Sequence, residues 1–249
     1  MRIEHARASS GGWLDLLLPR ACAVCDRLLD AGEQRLVCGR CWARVRLLPA
    51  PRCERCGHPR LGESCAWCAL LPPYVRAARS HCWIPGGTGG AIVHALKYGG
   101  WPAVAHEMGA ALARLSWPPD VIAERTALAP VPLAPDRERE RGYNQSTVLA
   151  RALAPRWHVP VWDDVLERFR ATATQTRLTP EERRHNVSGA FRVRAGARAR
   201  LVGAHVVLVD DVITTGATLA ACAGALFGGG ARIISLVTFG RAPAIGDRA

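Results

Sequence analysis

The chain has 249 residues, room for one α/β domain of ordinary size and a smaller appendage. Apolar residues make up 49% of it, ample for a core, yet no apolar run approaches the roughly 18 residues that a membrane span requires. A net charge of +12, from 33 basic and 21 acidic residues, favours an anionic partner or substrate over a cationic one.

In chain order, Trp13-Leu14-Asp15-Leu16-Leu17-Leu18 comes first. It is too short to span, is interrupted by Asp15 and lacks a small-residue cleavage site, so it does not read as a signal peptide. It reads instead as a helix packed on the module that follows, and the protein is expected in the cytoplasm. Eight of the ten cysteines then form four Cys-x-x-Cys pairs: Cys22/Cys25, Cys38/Cys41, Cys53/Cys56 and Cys65/Cys68. Two intervening residues let both thiolates of a knuckle face one tetrahedral Zn²⁺. Four knuckles give two complete Cys₄ sites with no open coordination position, hence structural metal. A thioredoxin-like redox pair would need its own βαβ setting, which four consecutive pairs do not fit. Sequential pairing closes short loops and is preferred; an interleaved pattern stays open. Residues 1–72 carry eleven arginines against seven acids, an excess that two Zn(Cys)₄ centres cancel. The basic surplus therefore belongs to the second domain, and the module is expected to brace it or to mediate protein contacts.

Pro72-Pro73 marks a boundary, since paired prolines favour an extended link. Beyond it, Ala77 to Ile84 is a predicted strand with Cys82 as a buried thiol. Gly86 to Gly90 reads as a flexible lead-in to a short helix, Ala91 to Lys97, that stops at Gly99-Gly100. A second helix is predicted over 101–116, a strand over Leu128 to Val131, and a helix over Tyr143 to Leu153 entered through Asn144, Gln145 and Ser146. Ala190 to Val193, His205 to Val209 and Arg232 to Thr238 complete a set of strands alternating with helices, which argues for a mainly parallel sheet. The last residues, 242–249, read as a disordered tail.

Within this set, residues 206–218 carry the strongest chemical signal. Val206-Val207-Leu208-Val209 reads as a strand buried on both faces. Asp210 and Asp211 follow at its carboxyl end, where α/β sheets bind ligands. Thr214-Thr215-Gly216-Ala217-Thr218 then turns into a helix over Leu219 to Leu226. Turn N–H groups, threonine hydroxyls and the positive end of the helix form a cradle for a phosphate. The two carboxylates can accept hydrogen bonds from the hydroxyls of a ribose attached to that phosphate. No lysine precedes the threonines, which sets the turn apart from a Walker A loop.

Basic groups suited to further phosphates are Lys97, the sole lysine, and Arg137, Arg139 and Arg141, whose alternation with acids suits either exposed pairing within the segment or a pyrophosphate pocket, with Arg141 preferred beside Gly142. From Arg168 to Arg200 nine arginines face only Glu181 and Glu182, and few apolar residues anchor the first half, which reads as a mobile loop.

The strand, acidic pair and Thr-Thr-Gly-x-Thr turn resemble the PRPP-binding signature of type I phosphoribosyltransferases. Together with His94-Ala95-Leu96-Lys97-Tyr98-Gly99, the stretches from Pro130 to Ser146, Arg168 to Leu178 and Arg183 to Phe191, and the cysteine-rich start, the chain from Trp13 to Arg241 resembles the ComF/GntX family. Tyr143 stands where Phe is more usual. The resemblance implies a phosphoribosyltransferase-like domain over 73–241 behind the zinc module of 1–72. It implies that Asp210 and Asp211 hold the ribose hydroxyls, that Thr214 to Thr218 wrap the 5-phosphate, and that Mg²⁺ rides on pyrophosphate and ribose oxygens. It also implies a loop that closes over PRPP, a role that suits Arg168, Gln175 and Arg184, with Lys97 and Arg141 toward pyrophosphate. Family association with competence and the use of external DNA implies single-stranded DNA, and a competence helicase or other DNA-processing protein, as partners. Three functions are therefore in view: phosphoribosyl transfer to an acceptor that no sequence feature identifies, single-stranded DNA binding, and PRPP sensing.

Overall fold

The computed structural model describes residues 20–30, 35–60, 65–84, 86–169 and 189–243. The expected leading helix at 13–18, the loop positions Gln175 and Arg184, and residues 244–249 of the expected tail lie outside them. Ala242 itself donates its N–H to Ile213 O at 2.8 Å.

The helices are α1 (Gly39–Ala43), α2 (Gly87–Tyr98), α3 (Val104–Ala113), α4 (Pro119–Glu124), α5 (Pro135–Arg141), α6 (Gln145–Trp157), α7 (Arg198–Leu201) and α8 (Ala217–Gly228). The strands are β1 (Val75–Trp83), β2 (Arg125–Pro130), β3 (Leu166–Arg168), β4 (Phe191–Val193), β5 (His205–Ile213) and β6 (Ile233–Arg241). Four of them form one sheet in the order β1-β6-β5-β2, every pair parallel. This is the expected α/β class, with a cysteine-rich module in front of the sheet. Parallel strands covered on both faces must be apolar throughout, and Val206 to Val209 are fully buried.

Alternate residues of the strands divide the core in two. Val207, Val209, Val237 and Phe239 join Ile92, Leu96, Met108, Leu149 and Leu153 from α2, α3 and α6. Val206, Leu208, Ile234 and Leu236 join Leu219, Cys222 and Leu226 of α8 on the opposite face. Each cluster includes cysteines of one knuckle group: Cys22, Cys38 and Cys41 in the first, Cys56 in the second.

Three expectations need correction. Gly87 to Gly90 are not a flexible lead-in but the first turn of α2; a Cβ on Gly89 would lie 2.9 Å from Cys82 Sγ, so close packing rather than flexibility demands glycine there. Residues 191–193 do not join the parallel sheet. They pair antiparallel with β3 in a two-stranded sheet of their own, a pairing that needs no crossover helix. The first half of the arginine-rich stretch is not loop from its start, since Arg168 ends β3.

Candidate functional site

β5 runs on through both carboxylates: Asp210 pairs with Thr238 and Ile213 with Arg241. Asp210 and Asp211 are therefore held by the sheet at 9% and 2% exposure. Residues 214–216 then turn, and Gly216 adopts φ +75°, a left-handed conformation that suits glycine, at the N-cap of α8. Gly216 offers no capping side chain; Thr215 Oγ1 accepts from Ala217 N at 3.4 Å, and the other first-turn N–H groups have no intrahelical partner.

The acidic pair is fixed from three sides. Ser146 Oγ donates to Asp210 Oδ1 at 2.8 Å, and the Asp211 N–H donates to the same oxygen at 2.9 Å. Gln145 Nε2 donates to Asp211 Oδ1 at 3.2 Å, while Lys97 Nζ, at the end of α2, sits 2.6 Å from Asp211 Oδ2. Gln145 also accepts from Arg141 Nη1. The N-terminus of α6 that supplies Gln145 and Ser146 is set by Asn144, whose side chain accepts from Ser146 N and donates to Val131 O, both at 3.0 Å. Burial and the neighbouring Asp211 charge push the Asp210 carboxyl up to about 7, against the lowering pull of Ser146 and Lys97. Burial pulls the Lys97 ammonium down, but the Asp211 carboxylate outweighs it and the net shift is upward.

A cavity of about 310 Å³ opens over this edge, lined by Asp210, Asp211, residues 212–219, Lys97, Gln145, Arg137, Arg168 and the backbone stretch 131–134. A second of about 280 Å³ adjoins it, sharing Lys97 and Arg137 and adding Tyr98, Glu140, Arg141 and Tyr143. The structure thus brings Asp210, Asp211, Thr214, Thr215, Gly216, Ala217, Thr218, Lys97 and Arg168 to one cavity and places Arg141 in the neighbouring one. There the Arg141 guanidinium lies 5.2 Å from the centre of the Tyr98 ring.

Sequence reasoning gave Gln145 and Ser146 only a helix-entry role and preferred Arg141 to Arg137, although Arg137 lines both cavities. Their signal was an uncharged polar pair at the start of an apolar helix. The basic run is also less exposed electrostatically than expected. Among the described residues, Arg192 and Arg194 pair with Glu167 at 2.5 and 3.5 Å, and Arg200 with Asp164 at 2.6 Å.

The knuckles group sequentially, as Cys22, Cys25, Cys38 and Cys41, and as Cys53, Cys56, Cys65 and Cys68, with all four sulfurs of a group within 4.8 Å of one another. This removes the interleaved alternative. Four thiolates at about 2.3 Å from a tetrahedral Zn²⁺ stand about 3.8 Å apart. Sγ···Sγ separations of 3.9 and 3.8 Å in the first group match that edge, and two of 3.3 Å in the second are about 0.5 Å shorter than it. Two structural zinc sites are thus formed by all eight knuckle cysteines, leaving Cys82 and Cys222 buried and apart from either group. Among the described residues no helix is long and apolar enough to cross a membrane.

Comparison with known proteins agrees with this geometry. Residues 13–71 match the double zinc ribbon domain. DNA utilization protein YhgH of Salmonella typhi is 34% identical over 89% of this chain and 96% of the relative; that of Escherichia coli (strain K12) is 32% identical over the same shares. Competence protein F of Haemophilus influenzae is 40% identical over 37% of this chain and 40% of its own. A solved structure described as the glutamine mutant in an analysis of an invariant aspartic acid in HPRTs covers 61% of this chain and 72% of that chain, at 20% identity and a TM-score of 0.31, too loose a match to carry a structural argument. Near-complete coverage by the YhgH proteins, with the two Cys₄ sites and the acidic strand end in place, shows that the chain belongs to the ComF/GntX family.

Proposed function

We propose that the protein binds PRPP at the carboxyl end of β5 through the domain formed by residues 73–241, with the zinc module of 1–72 as its brace. The observation that carries this reading is the pair of adjoining cavities, one lined by the acidic pair and the turn, the other by Arg141, Tyr98 and Tyr143, bridged by Lys97 and Arg137. Their chemistry matches a ligand with a phosphate and a diol at one end and a pyrophosphate at the other. The turn of 214–218 takes the 5-phosphate, Asp210 and Asp211 accept from the ribose hydroxyls, and Lys97, Arg137 and Arg141 face the pyrophosphate, with Arg168, Gln175 and Arg184 supplied by the closing segment. Mg²⁺, bound with PRPP, supplies further neutralisation of the pyrophosphate. In transfer, an amine or base nitrogen attacks ribose C1, the bond from C1 to pyrophosphate breaks, and the nitrogen loses a proton. The arginines and Lys97 stabilise the departing charge, and the acidic pair faces the positive charge that develops on the ribose. Calorimetry with PRPP·Mg²⁺ tests binding, and pyrophosphate release on adding nucleobases or amines separates an enzyme from a sensor.

A second reading, direct contact with single-stranded DNA and through it with DNA-processing proteins, draws on Tyr98, 67% exposed in the lining of the second cavity, and on Trp101, 44% exposed three residues on. Aromatic faces flanked by arginine suit unpaired bases. Fluorescence anisotropy at fixed ionic strength tests it: binding should weaken with salt, and competition by PRPP·Mg²⁺ would mean a shared face.

A further inference from the structure

The two zinc sites stand in different relations to the phosphate turn. Trp67 lies between the ligands Cys65 and Cys68 and is 6% exposed. A Cβ placed on Gly216 would meet Trp67 Cζ3 at 3.9 Å and Ile213 Cδ1 at 3.7 Å, so these two side chains lie beside the turn at its glycine. Trp67 is held in place by His58, stacked at 5.6 Å, and by the Arg241 guanidinium, 4.9 Å from its ring centre. Arg241 is only 1% exposed. It donates to Cys56 O at 2.7 Å and to Ser80 Oγ at 3.2 Å, and in the sheet it stands opposite Ile213. One buried cation therefore ties a zinc ligand's backbone to the strand end that launches the turn. Arg55 adds a second tie, donating to Cys68 O, Leu71 O, Pro72 O and Val75 O at 2.7–3.3 Å. The first zinc site makes its contacts elsewhere, with α3 and with the opposite core cluster.

We propose that Trp67 is a positioning residue for the turn of 214–218, set in place by the second Cys₄ site, so that phosphate-end affinity depends on that metal and not on the first. This rests on the PRPP reading of the cavity. With Cys65 and Cys68 both bound to metal, the intervening ring has little freedom, and it blocks the turn from relaxing away from the cavity. Metal loss loosens the ring and weakens its support of the turn at Gly216.

The test compares full-length protein with Cys65→Ser/Cys68→Ser, Cys22→Ser/Cys25→Ser, Trp67→Ala and Trp67→Phe, with zinc content measured for each. Two readouts are taken: PRPP·Mg²⁺ affinity by calorimetry, and amide hydrogen exchange over 213–218 without ligand. The second-site variant and Trp67→Ala should lose affinity about tenfold or more and exchange faster across the turn. The first-site variant should keep both readouts, and Trp67→Phe should recover most of them while binding two zinc ions. Wild-type affinity and exchange in a two-zinc Trp67→Ala protein overturn the proposal. If Trp67→Ala loses zinc, Trp67→Phe with two zinc ions decides by its turn exchange: wild-type protection supports ring positioning, and protection as low as in the second-site variant overturns it. Because exchange needs no ligand, wild-type protein that fails to bind PRPP removes the functional reading while the positioning claim is still judged.

Discussion

The first and second zinc sites are built from the same knuckle, yet one is fastened to a helix and the other to the floor of the cavity. At the first, Glu107 of α3 accepts from Leu36 N at 2.6 Å, Val37 N at 3.3 Å and Trp42 Nε1 at 2.6 Å. That carboxylate docks the module on one face of the sheet, with Trp42 edge-on to Phe239 at 6.0 Å. At the second, Arg241 and Trp67 link metal ligands to the end of β5, on the other face. A repeated ligand spacing fixes what binds; the partners of the intervening residues decide what the bound metal does for the rest of the chain.

Metal removal should produce the largest effect. Structural zinc contributes about 10–16 kcal/mol of folding free energy per site in zinc-finger peptides. Metal analysis should find two equivalents, and chelation should open residues 20–70 to proteolysis; one equivalent or none in intact protein would contradict both sites. Next in size is Glu107→Ala, which leaves three donors without their acceptor and should cost about 1–3 kcal/mol in denaturant unfolding. It should leave PRPP affinity unchanged, and a joint loss of stability and affinity would erase the distinction between the two sites. Gly216→Ala works in the opposite sense. Its left-handed φ should cost about 1–2 kcal/mol with a side chain present, and its main readout should be weakened ligand binding.

A pH-dependent effect belongs to Asp210. Its carboxyl is raised from 3.8 to about 7 in the folded protein, first by burial and then by Asp211. The native state thus keeps a proton that the unfolded chain releases. The associated stability is fully present below 3.8 and is lost as pH rises through about 7. Asp210→Asn should flatten that slope in urea titrations. A ribose diol that donates to the carboxylate favours the ionised form, so PRPP affinity should rise with pH across the same window. Smallest of all, Arg139→Ala should shift stability by no more than about 0.5 kcal/mol, since its pairing with Asp136 is exposed.

Both Cys₄ sites and the strand-turn-helix of 206–226 were legible in the sequence because their chemistry is local: ligand spacing in one case, an apolar strand followed by acids and threonines in the other. Helix α5 was not. It has no buried residue and so no apolar period; it stands on Pro135 in its first turn, Gly142 at φ +82° at its end, and i,i+3 pairs such as Arg137 with Glu140 at 2.9 Å. The role of Gln145 and Ser146 at the acidic pair was not legible, because their partners, Asp211 and Asp210, lie 66 and 64 residues away. The basic run looked uncompensated because two of its neutralising acids, Asp164 and Glu167, fall just before it in the chain. Trp67 carried no signal in the sequence, since nothing local reveals that its ring lies beside Gly216, about 150 residues on.

The most direct test of the central claim is titration of PRPP·Mg²⁺ into zinc-loaded wild-type protein and into Asp210→Asn/Asp211→Asn. The account predicts saturable binding to wild type at one site per chain and none to the double variant, with folding and zinc content intact in both. Equal affinity in the two proteins, or no binding to either, would contradict it.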